Sequence, residues 1–574
     1  MIIPFATFNF EHDSSMTFEY EGELHSFEFE RVVGERYYSW ADTIHHEKHC
    51  QYAAIVRDSL LKHFGVSDIQ IESASKYIGM YWKDWDGDKR SDQQIDYLLN
   101  LLKTKEIKEF GHHEAHAAGA YALSGFEEAL IFSFDAGGSE AYVRAFSNDT
   151  NMLTYNNVYV ASRELGLKKI SDLDGVNVGG LYQFLSYYPE CVSCTNTSAS
   201  TDGLSLAGKF MGLSGHENPN ALLTRRIVDD FFNSPMYFRS YRQLATDEFS
   251  RVLKFFPFNY DVEYIPQEEN LWESGKNPAW NVITEFEDSA YFAANWQEAF
   301  EQIVISLIEP YVLKYDLPIC ITGGCALNVL MNERIRKVTC QEVFVPVNPN
   351  DCGLTTGAWF LENWDKIGQY DCVYNNWDIL DRDALDKYKR DYTNNICGIT
   401  ELSNRIISGE IIGVVNGRSE CGPRALGNRS ILCDPSIPDM KDTLNSKVKD
   451  REWYRPFAPV VRYEDRNKYF HFNGDSPYMS FATQVRAKYQ EQLQAITHVD
   501  GSARIQTVKR EQNEFLYDLL TEMEKIGKIP VLLNTSFNIK GNPILTTIKD
   551  ALYVLDNTEL DAVYVEGTLF TDRR

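Results

Sequence analysis

A chain of 574 residues with 83 acidic and 56 basic side chains carries a formal net charge of −27. That balance repels a phosphate backbone at long range, so any nucleic-acid contact must be local. The length implies roughly two to four domains at about 150 residues each. Eleven cysteines, scattered singly apart from Cys191 and Cys194, point to reduced thiols in a cytoplasmic setting, and one CxxC lacks the second pair a structural zinc site needs. The start MIIPFATFNFEHD has no basic, apolar and small-residue succession of a signal peptide. No run of about 18 apolar residues offers a membrane span.

In chain order, residues 1 to 37 read as three strands, IIPFATFNF, MTFEYEG and ELHSFEFERVV, rich in Phe, Tyr and Val. Helical periodicity follows around 47 to 64, 91 to 104 and 112 to 124. The plan of the first strands returns at 129 to 160, where ALIFSFD runs into AGGSE and is followed by AYVRAF and LTYNNVYV. Two such β-meanders, each opening with an apolar strand that ends at an acidic turn, resemble the duplicated halves of an actin-like ATPase, a fold that holds a nucleotide between its halves.

A helix over 286 to 309 leads to the buried strand PICITGG and a helix at CALNVLMNERIRK, an order suited to cradling phosphate. The charged, mixed residues 366 to 395 read as a linker region, and a further domain begins near 396 with strands IIGVVNG, FAPVVRYE and KIPVLLNTSF. Residues 418 to 462 hold nine Lys/Arg against six Asp/Glu. This local reversal of sign marks an anion site.

Several constellations carry chemistry. In HHEAH, His112 and His116 lie at i and i+4 on one helical face, close enough to share an ion. A zinc-protease HExxH starting at His113 would need histidine at 117, which is Ala117. By itself an HxxxH is more often a pair of surface or packed histidines. Asp135 ends ALIFSFD and precedes Gly137 and Gly138, while Asp351 follows an apolar strand in FVPVNPNDCG. Two histidines with two carboxylates form a mixed N/O set suited to Fe2+, Mn2+ or Zn2+. Asp84-Trp85-Asp86-Gly87-Asp88 lacks the glycine at its sixth position, here Lys89, and the closing glutamate of a calcium loop. Residues 77 to 91 instead read as an aromatic, acidic surface loop.

The ordered motifs HHEAHAAGAY, SFDAGG, VGGLYQF, AGKFMGL, ITGGCALN, VPVNPNDCG, GRSECGPRALGNRSIL, KDREWYRPFAPVV, HVDGSARIQTV and LLNTSFNIKGNPI resemble the NodU/CmcH family of O-carbamoyltransferases from about residue 9 to 570. The resemblance implies an α/β chain with an actin-like (ASKHA, threonylcarbamoyl-transferase-like) duplicated domain at 1–365, the linker region 366–395 and an α+β YrdC-like domain at 396–574.

It assigns His112, His116, Asp135 and Asp351 as metal ligands. Gly137, Gly138, Gly323, Gly324 and Asn328 fall in the nucleotide site with Lys209 near it. His12 falls at the acceptor. Arg424, Lys449, Arg455, Arg504 and Ser536 fall at carbamoyl phosphate, where Asn534 helps orient the ligand. Guanidinium forks and a lysine point charge suit phosphate oxygens.

The implied cofactors are ATP, with Mg2+, and a divalent metal, Fe2+ first with Mn2+ or Zn2+ as alternatives. The implied reaction makes carbamoyl adenylate and passes its carbamoyl group to a hydroxyl acceptor: a sugar or natural product, or 5-hydroxymethylcytosine as nucleotide or DNA. The N-terminal segment departs from the family at FATFNFEHDSS and at Glu30-Arg31-Val32-Val33-Gly34-Glu35-Arg36, near the acceptor. A monomer or homodimer with no membrane contact is expected. The competing readings are a non-catalytic nucleotide- and metal-binding regulator and an actin-like sugar kinase.

Overall fold

The computed structural model describes residues 1–10, 12–40, 48–77, 90–138, 154–173, 177–193, 203–233, 253, 255–256, 282–449, 451–539 and 541–573. Its first sheet contains β1 (Ile2–Asn9), β2 (Ser15–Tyr20), β3 (Glu23–Glu28), β4 (Gln70–Tyr77) and β5 (Glu106–Glu109) in the order β3-β2-β1-β4-β5. Strands β1, β2 and β3 form the antiparallel meander read from the sequence, and β4 and β5 add in parallel.

The second sheet contains β6 (Glu128–Gly138), β7 (Thr154–Ser162), β8 (Gly166–Asp172), β9 (Ile319–Thr322) and β10 (Val343–Phe344). Read from β8, its order is β8-β7-β6-β9-β10, again third, second, first, fourth, fifth, with the same pairing directions. This repeat of order and direction is the duplicated plan of an actin-like fold.

The chain divides into two compact units that do not follow sequence order. One joins the N-terminal stretch up to Glu109 with Gly368–Arg574, and the other spans Phe110–Ile367. In the first unit a nine-stranded mixed sheet runs β11-β19-β18-β12-β13-β17-β14-β16-β15. Its strands are β11 (Tyr392–Ile396), β12 (Ile412–Val415), β13 (Arg429–Cys433), β14 (Ala458–Arg462), β15 (Phe481–Gln484), β16 (Ser502–Val508), β17 (Val531–Ser536), β18 (Ala562–Val565) and β19 (Thr568–Arg573).

The stretch read as a linker is built into this unit. Trp377 is fully buried against Phe27, with ring centroids 4.3 Å apart, and its indole donates to the Glu28 carbonyl at 2.8 Å. Asn375 donates to the Leu24 carbonyl at 2.6 Å. A charged average concealed one aromatic anchor.

The helices His49–Phe64, Arg90–Leu101, His112–Ser124 and Phe286–Tyr315 match the periodic stretches. The helix expected at CALNVLMNERIRK is instead a 3₁₀ turn, Gly324–Leu327, and a helix Val329–Thr339, because the Asn328 side chain caps the latter by accepting from the Met331 amide. The strand expected before Asp351 shrinks to Val343–Phe344, and Asp351 opens a 3₁₀ turn that leads into the helix Leu354–Glu362. AYVRAF, residues 78–89 of the aromatic loop and Cys194 lie outside the described residues. Among the described residues, Cys50, Cys320, Cys325, Cys340, Cys372, Cys397, Cys421 and Cys433 are free thiols. Among the described residues no helix is long and apolar enough to cross a membrane.

Candidate metal centre and anion site

In the Phe110–Ile367 unit, His112, His116, Asp135 and Asp351 are all buried and offer ligand atoms within 4.8 Å of one another. The His116 Nε2 atom lies 3.4 Å from both Asp135 Oδ2 and Asp351 Oδ1, and His112 Nε2 lies 3.8 Å from each. Four donors about 2.0–2.2 Å from one tetrahedral ion stand roughly 3.3–3.6 Å apart, so this set fits a divalent transition metal. Burial alone would lower the His116 pKa, but Asp135 and Asp351 outweigh it and hold the imidazole up at about 9. Burial works against ionised Asp135, yet His112 and His116 keep its carboxyl well below the usual range.

Close backbone approach assembles this set. Helix His112–Ser124 crosses helix Leu354–Glu362 at two glycines: a Cβ on Gly119 would meet Gly357 Cα at 3.2 Å, and one on Gly357 would stand 1.7 Å from the Ala115 carbonyl oxygen. The crossing sets the histidines beside Asp351.

Asp135 is fixed from another direction. Gly323 has φ +85°, a Cβ there would lie 2.2 Å from the Phe134 carbonyl oxygen, and the Gly324 amide donates to Asp135 Oδ2 at 2.7 Å. The Gly323 amide also donates to the Pro349 carbonyl at 2.8 Å, tying the end of β9 to the approach to Asp351. His113 turns away from the four ligands to Ser133, with Nδ1 and Oγ 2.9 Å apart.

The residues expected at a nucleotide fall in the same unit but not in one role. Gly137 and Gly138 lie at the irregular end of β6, where the β6–β7 register shifts between Phe134 and Gly138. Gly323 and Gly324 shape the Asp135 carboxylate as above. Asn328 is engaged in its cap and in a two-way amide pair with Gln297, each bond 3.1 Å. Lys209 is buried in helix Gly203–Leu213.

In the other unit, β17 runs antiparallel to β13 and β14, so its end at Ser536 lies beside the start of both. Arg424 stands in the turn before β13, Lys449 and Arg455 precede β14, and Arg504 lies near the start of β16, parallel to β14. Four chain segments therefore converge at one sheet end.

The cations feel one another. Burial lowers the Arg504 pKa well below its ordinary value, and Arg424, Arg451 and Arg455 lower it further. Burial likewise lowers Lys449, aided by Arg451, Arg455 and Arg36, and brings Arg424 down to about 10. Crowded like charges of this kind mark a site that gains stability when an anion enters.

The Lys449 ammonium donates to the Ser536 carbonyl at 2.7 Å and to the Asn538 side chain at 2.6 Å. Asn534 is buried and uses its amide to hold the Ala425 carbonyl at 3.1 Å and Gln506 at 2.8 Å, which buttresses the Arg424 turn. Arg451, missed from the sequence, stacks 3.7 Å over Phe457 and donates to Asn445 at 2.8 Å. Its position inside the nine-cation stretch was the available signal. Arg36 was visible only as part of a divergent segment.

His12 belongs to the same unit, with Nδ1 3.2 Å from Asp13 Oδ2 and a side chain 40% exposed. Asp13 has φ +59°, so the turn after β1 is set by a left-handed residue.

Residues 34–360 match the carbamoyltransferase N-terminus family, and residues 403–572 match the carbamoyltransferase C-terminus family. Nodulation protein NolO of Bradyrhizobium diazoefficiens is 29% identical over 481 residues, covering 80% of this chain and 79% of that protein. NolNO of Sinorhizobium fredii is 30% identical, over 80% of this chain and 63% of its own length. Nodulation protein U of Sinorhizobium fredii reaches 37% over 47% of this chain and 48% of its own. Among solved structures, HypF of T. kodakarensis aligns with TM-score 0.32 and 14% identity over 64% of this chain and 48% of that one, too remote to assign an activity. The two family matches span most of the sequence, and the chain belongs to the carbamoyltransferase family, as an enzyme that transfers a carbamoyl group.

Proposed function

We propose that this carbamoyltransferase couples carbamoyl phosphate to ATP and delivers the carbamoyl group to an acceptor hydroxyl through carbamoyl adenylate. The observation that carries the reading is the convergence of Arg424, Lys449, Arg451, Arg455 and Arg504, whose mutual repulsion an incoming phosphate group relieves.

In the first half-reaction, Arg424, Arg455 and Arg504 hold the phosphate oxygens through paired N–H donors, with Lys449 and Ser536 beside them. Water cleaves carbamoyl phosphate to phosphate and carbamate. A carbamate oxygen then attacks the α-phosphorus of ATP, a new P–O bond forms, and pyrophosphate leaves. Carbamate decomposes in water, which favours both half-reactions on one chain.

In the second half-reaction, the acceptor oxygen attacks the carbamoyl carbon and AMP departs. His12 takes the acceptor proton: Asp13 accepts from its Nδ1, which makes Nε2 the basic nitrogen. Backbone amides at Gly137 and Gly138, with Lys209, bind the adenylate phosphate. A divalent metal, Fe2+ first and Mn2+ or Zn2+ next, would be held by His112, His116, Asp135 and Asp351 and would supply Lewis-acid polarisation when bound.

The acceptor is a hydroxylated small molecule or the hydroxymethyl group of 5-hydroxymethylcytosine. A hydroxyl panel including that base as nucleotide and as DNA, read by mass spectrometry, tests this reading; the result expected is the gain of one carbamoyl group on one member. Arg455→Ala should abolish pyrophosphate release, and unchanged release would remove Arg455 from the site.

A further inference from the structure

Arg424 sits in a turn whose backbone is held by an ion pair from a distant part of the sequence. The Gly422 amide donates to Glu28 Oε1 at 2.5 Å, and Arg31 donates to the Gly422 carbonyl at 2.8 Å. Arg31 Nε simultaneously donates to Glu28 Oε2 at 2.7 Å, so one ion pair grips both peptide groups of a single glycine.

Both side chains are at least 95% buried, Glu28 being 5% and Arg31 4% exposed. Gly422 has φ +83°, a conformation costly for other residues, so the turn direction is built in.

The clamp is itself braced. Trp377 donates to the Glu28 carbonyl at 2.8 Å, Thr546 donates to the Arg31 carbonyl at 3.2 Å, and the Glu28 amide donates to Asn376 at 3.2 Å. On the far side of Arg424, Asn534 holds the Ala425 carbonyl, and the Leu426 amide donates to buried Glu420. The turn is thus fixed on both flanks, while the Arg424 guanidinium lies close enough to Arg455 and Arg36 to feel their charge.

We propose that Glu28 and Arg31 are positioning residues for the anion site, aiming Arg424 by clamping Gly422 two residues before it. The proposal rests on the reading of the cation cluster as the carbamoyl phosphate site. A buried ion pair is a weak source of net stability, since desolvation offsets much of its attraction. Two peptide hydrogen bonds at defined positions are what this pair supplies that an apolar pair of similar volume would not. A displacement of about 1 Å in a binding group is enough to weaken a preorganised contact strongly.

The test is a double-mutant cycle on the full chain. The neutral pair Glu28→Gln/Arg31→Gln removes both charges together and leaves no lone buried ion. Binding of inorganic phosphate by calorimetry, and the KM and kcat for carbamoyl phosphate, are measured in this variant, in Arg424→Ala and in the triple variant.

The clamp predicts phosphate binding weakened about tenfold in the Gln/Gln variant, with KM raised more than kcat is lowered. It also predicts no further loss when the Gln/Gln change is added to Arg424→Ala. Losses that multiply in the triple variant would overturn the clamp and leave the site reading intact. Wild-type phosphate affinity in Arg424→Ala would overturn the site reading and the clamp with it. Glu28→Asp, which keeps the charge but retracts from the Gly422 amide, enters the same cycle as a milder variant, and non-additivity with Arg424→Ala is again the supporting result.

Discussion

Replacing Gly357 by Ala puts one methyl group where the helices His112–Ser124 and Leu354–Glu362 touch. The added Cβ would stand 1.7 Å from the Ala115 carbonyl oxygen and 3.0 Å from the Gly119 amide nitrogen, and both obstacles are backbone. Reaching an ordinary carbon–oxygen separation of roughly 3.2 Å requires the helices to part by about 1.5 Å. Metal sites tolerate ligand displacements of only about 0.2 Å, so His112 and His116 on one helix and Asp351 before the other could no longer share an ion. The packing strain should also cost about 1–3 kcal/mol of stability. Equilibrium dialysis with Fe2+, Mn2+ and Zn2+, followed by elemental analysis, should show metal retention reduced at least a hundredfold in Gly357→Ala. Gly208→Ala, where the added Cβ meets nothing within 4 Å, provides the control with retention intact. Wild-type retention in a folded Gly357→Ala protein would refute the claim that the glycine crossing sets the ligand geometry.

Arg504→Gln should raise the melting temperature of the protein without anions by a few degrees while weakening phosphate binding, because it removes one of several mutually repelling buried cations. Thermal melts with and without phosphate check this, and a lower melting temperature without phosphate would contradict it. Burial, with Asp13 and Glu28 nearby, pushes the Glu30 pKa from its ordinary 4.5 up to about 7. The folded state therefore prefers the protonated form, so this group's contribution to stability falls as pH rises from about 4.5 to about 7 and is level outside that window. Glu30→Gln, which can still accept from the Tyr37 amide as Glu30 does at 2.7 Å, should flatten that part of the stability–pH curve in urea titrations; an unchanged slope would count against it.

The His112–His116 spacing and the repeated sheet were legible because they rest on local pattern, whereas Asp135 and Asp351 were joined to the pair only by the family resemblance. The i, i+4 spacing of His112 and His116 survives folding unchanged, and ALIFSFD announces both a buried strand and the carboxylate at its end. Strands β4, β5 and β8 were harder, since Gln70–Tyr77, Glu106–Glu109 and Gly166–Asp172 are polar or mixed and owe their extended form to the neighbours they pair with. Asn328 has bonds that its sequence position alone did not show. Its place after Gly323-Gly324 suggested a ligand contact, while its side chain serves a helix cap and Gln297. The Glu28–Arg31 clamp could not be read at all, because its partner Gly422 lies 394 positions from Glu28 and only the folded chain brings them together. Arg451 escaped because several basic residues crowd that segment and spacing alone does not say which of them the fold brings close to Lys449 and Arg504.

The central claim is that carbamoyl transfer in this enzyme proceeds through adenylation. Phosphorus-31 NMR of the purified protein with carbamoyl phosphate, ATP and Mg2+ tests it most directly. The account predicts pyrophosphate that requires both substrates and does not exceed the inorganic phosphate released, and AMP on addition of a competent acceptor. ADP in place of pyrophosphate, or carbamoyl transfer that proceeds without ATP, would contradict it.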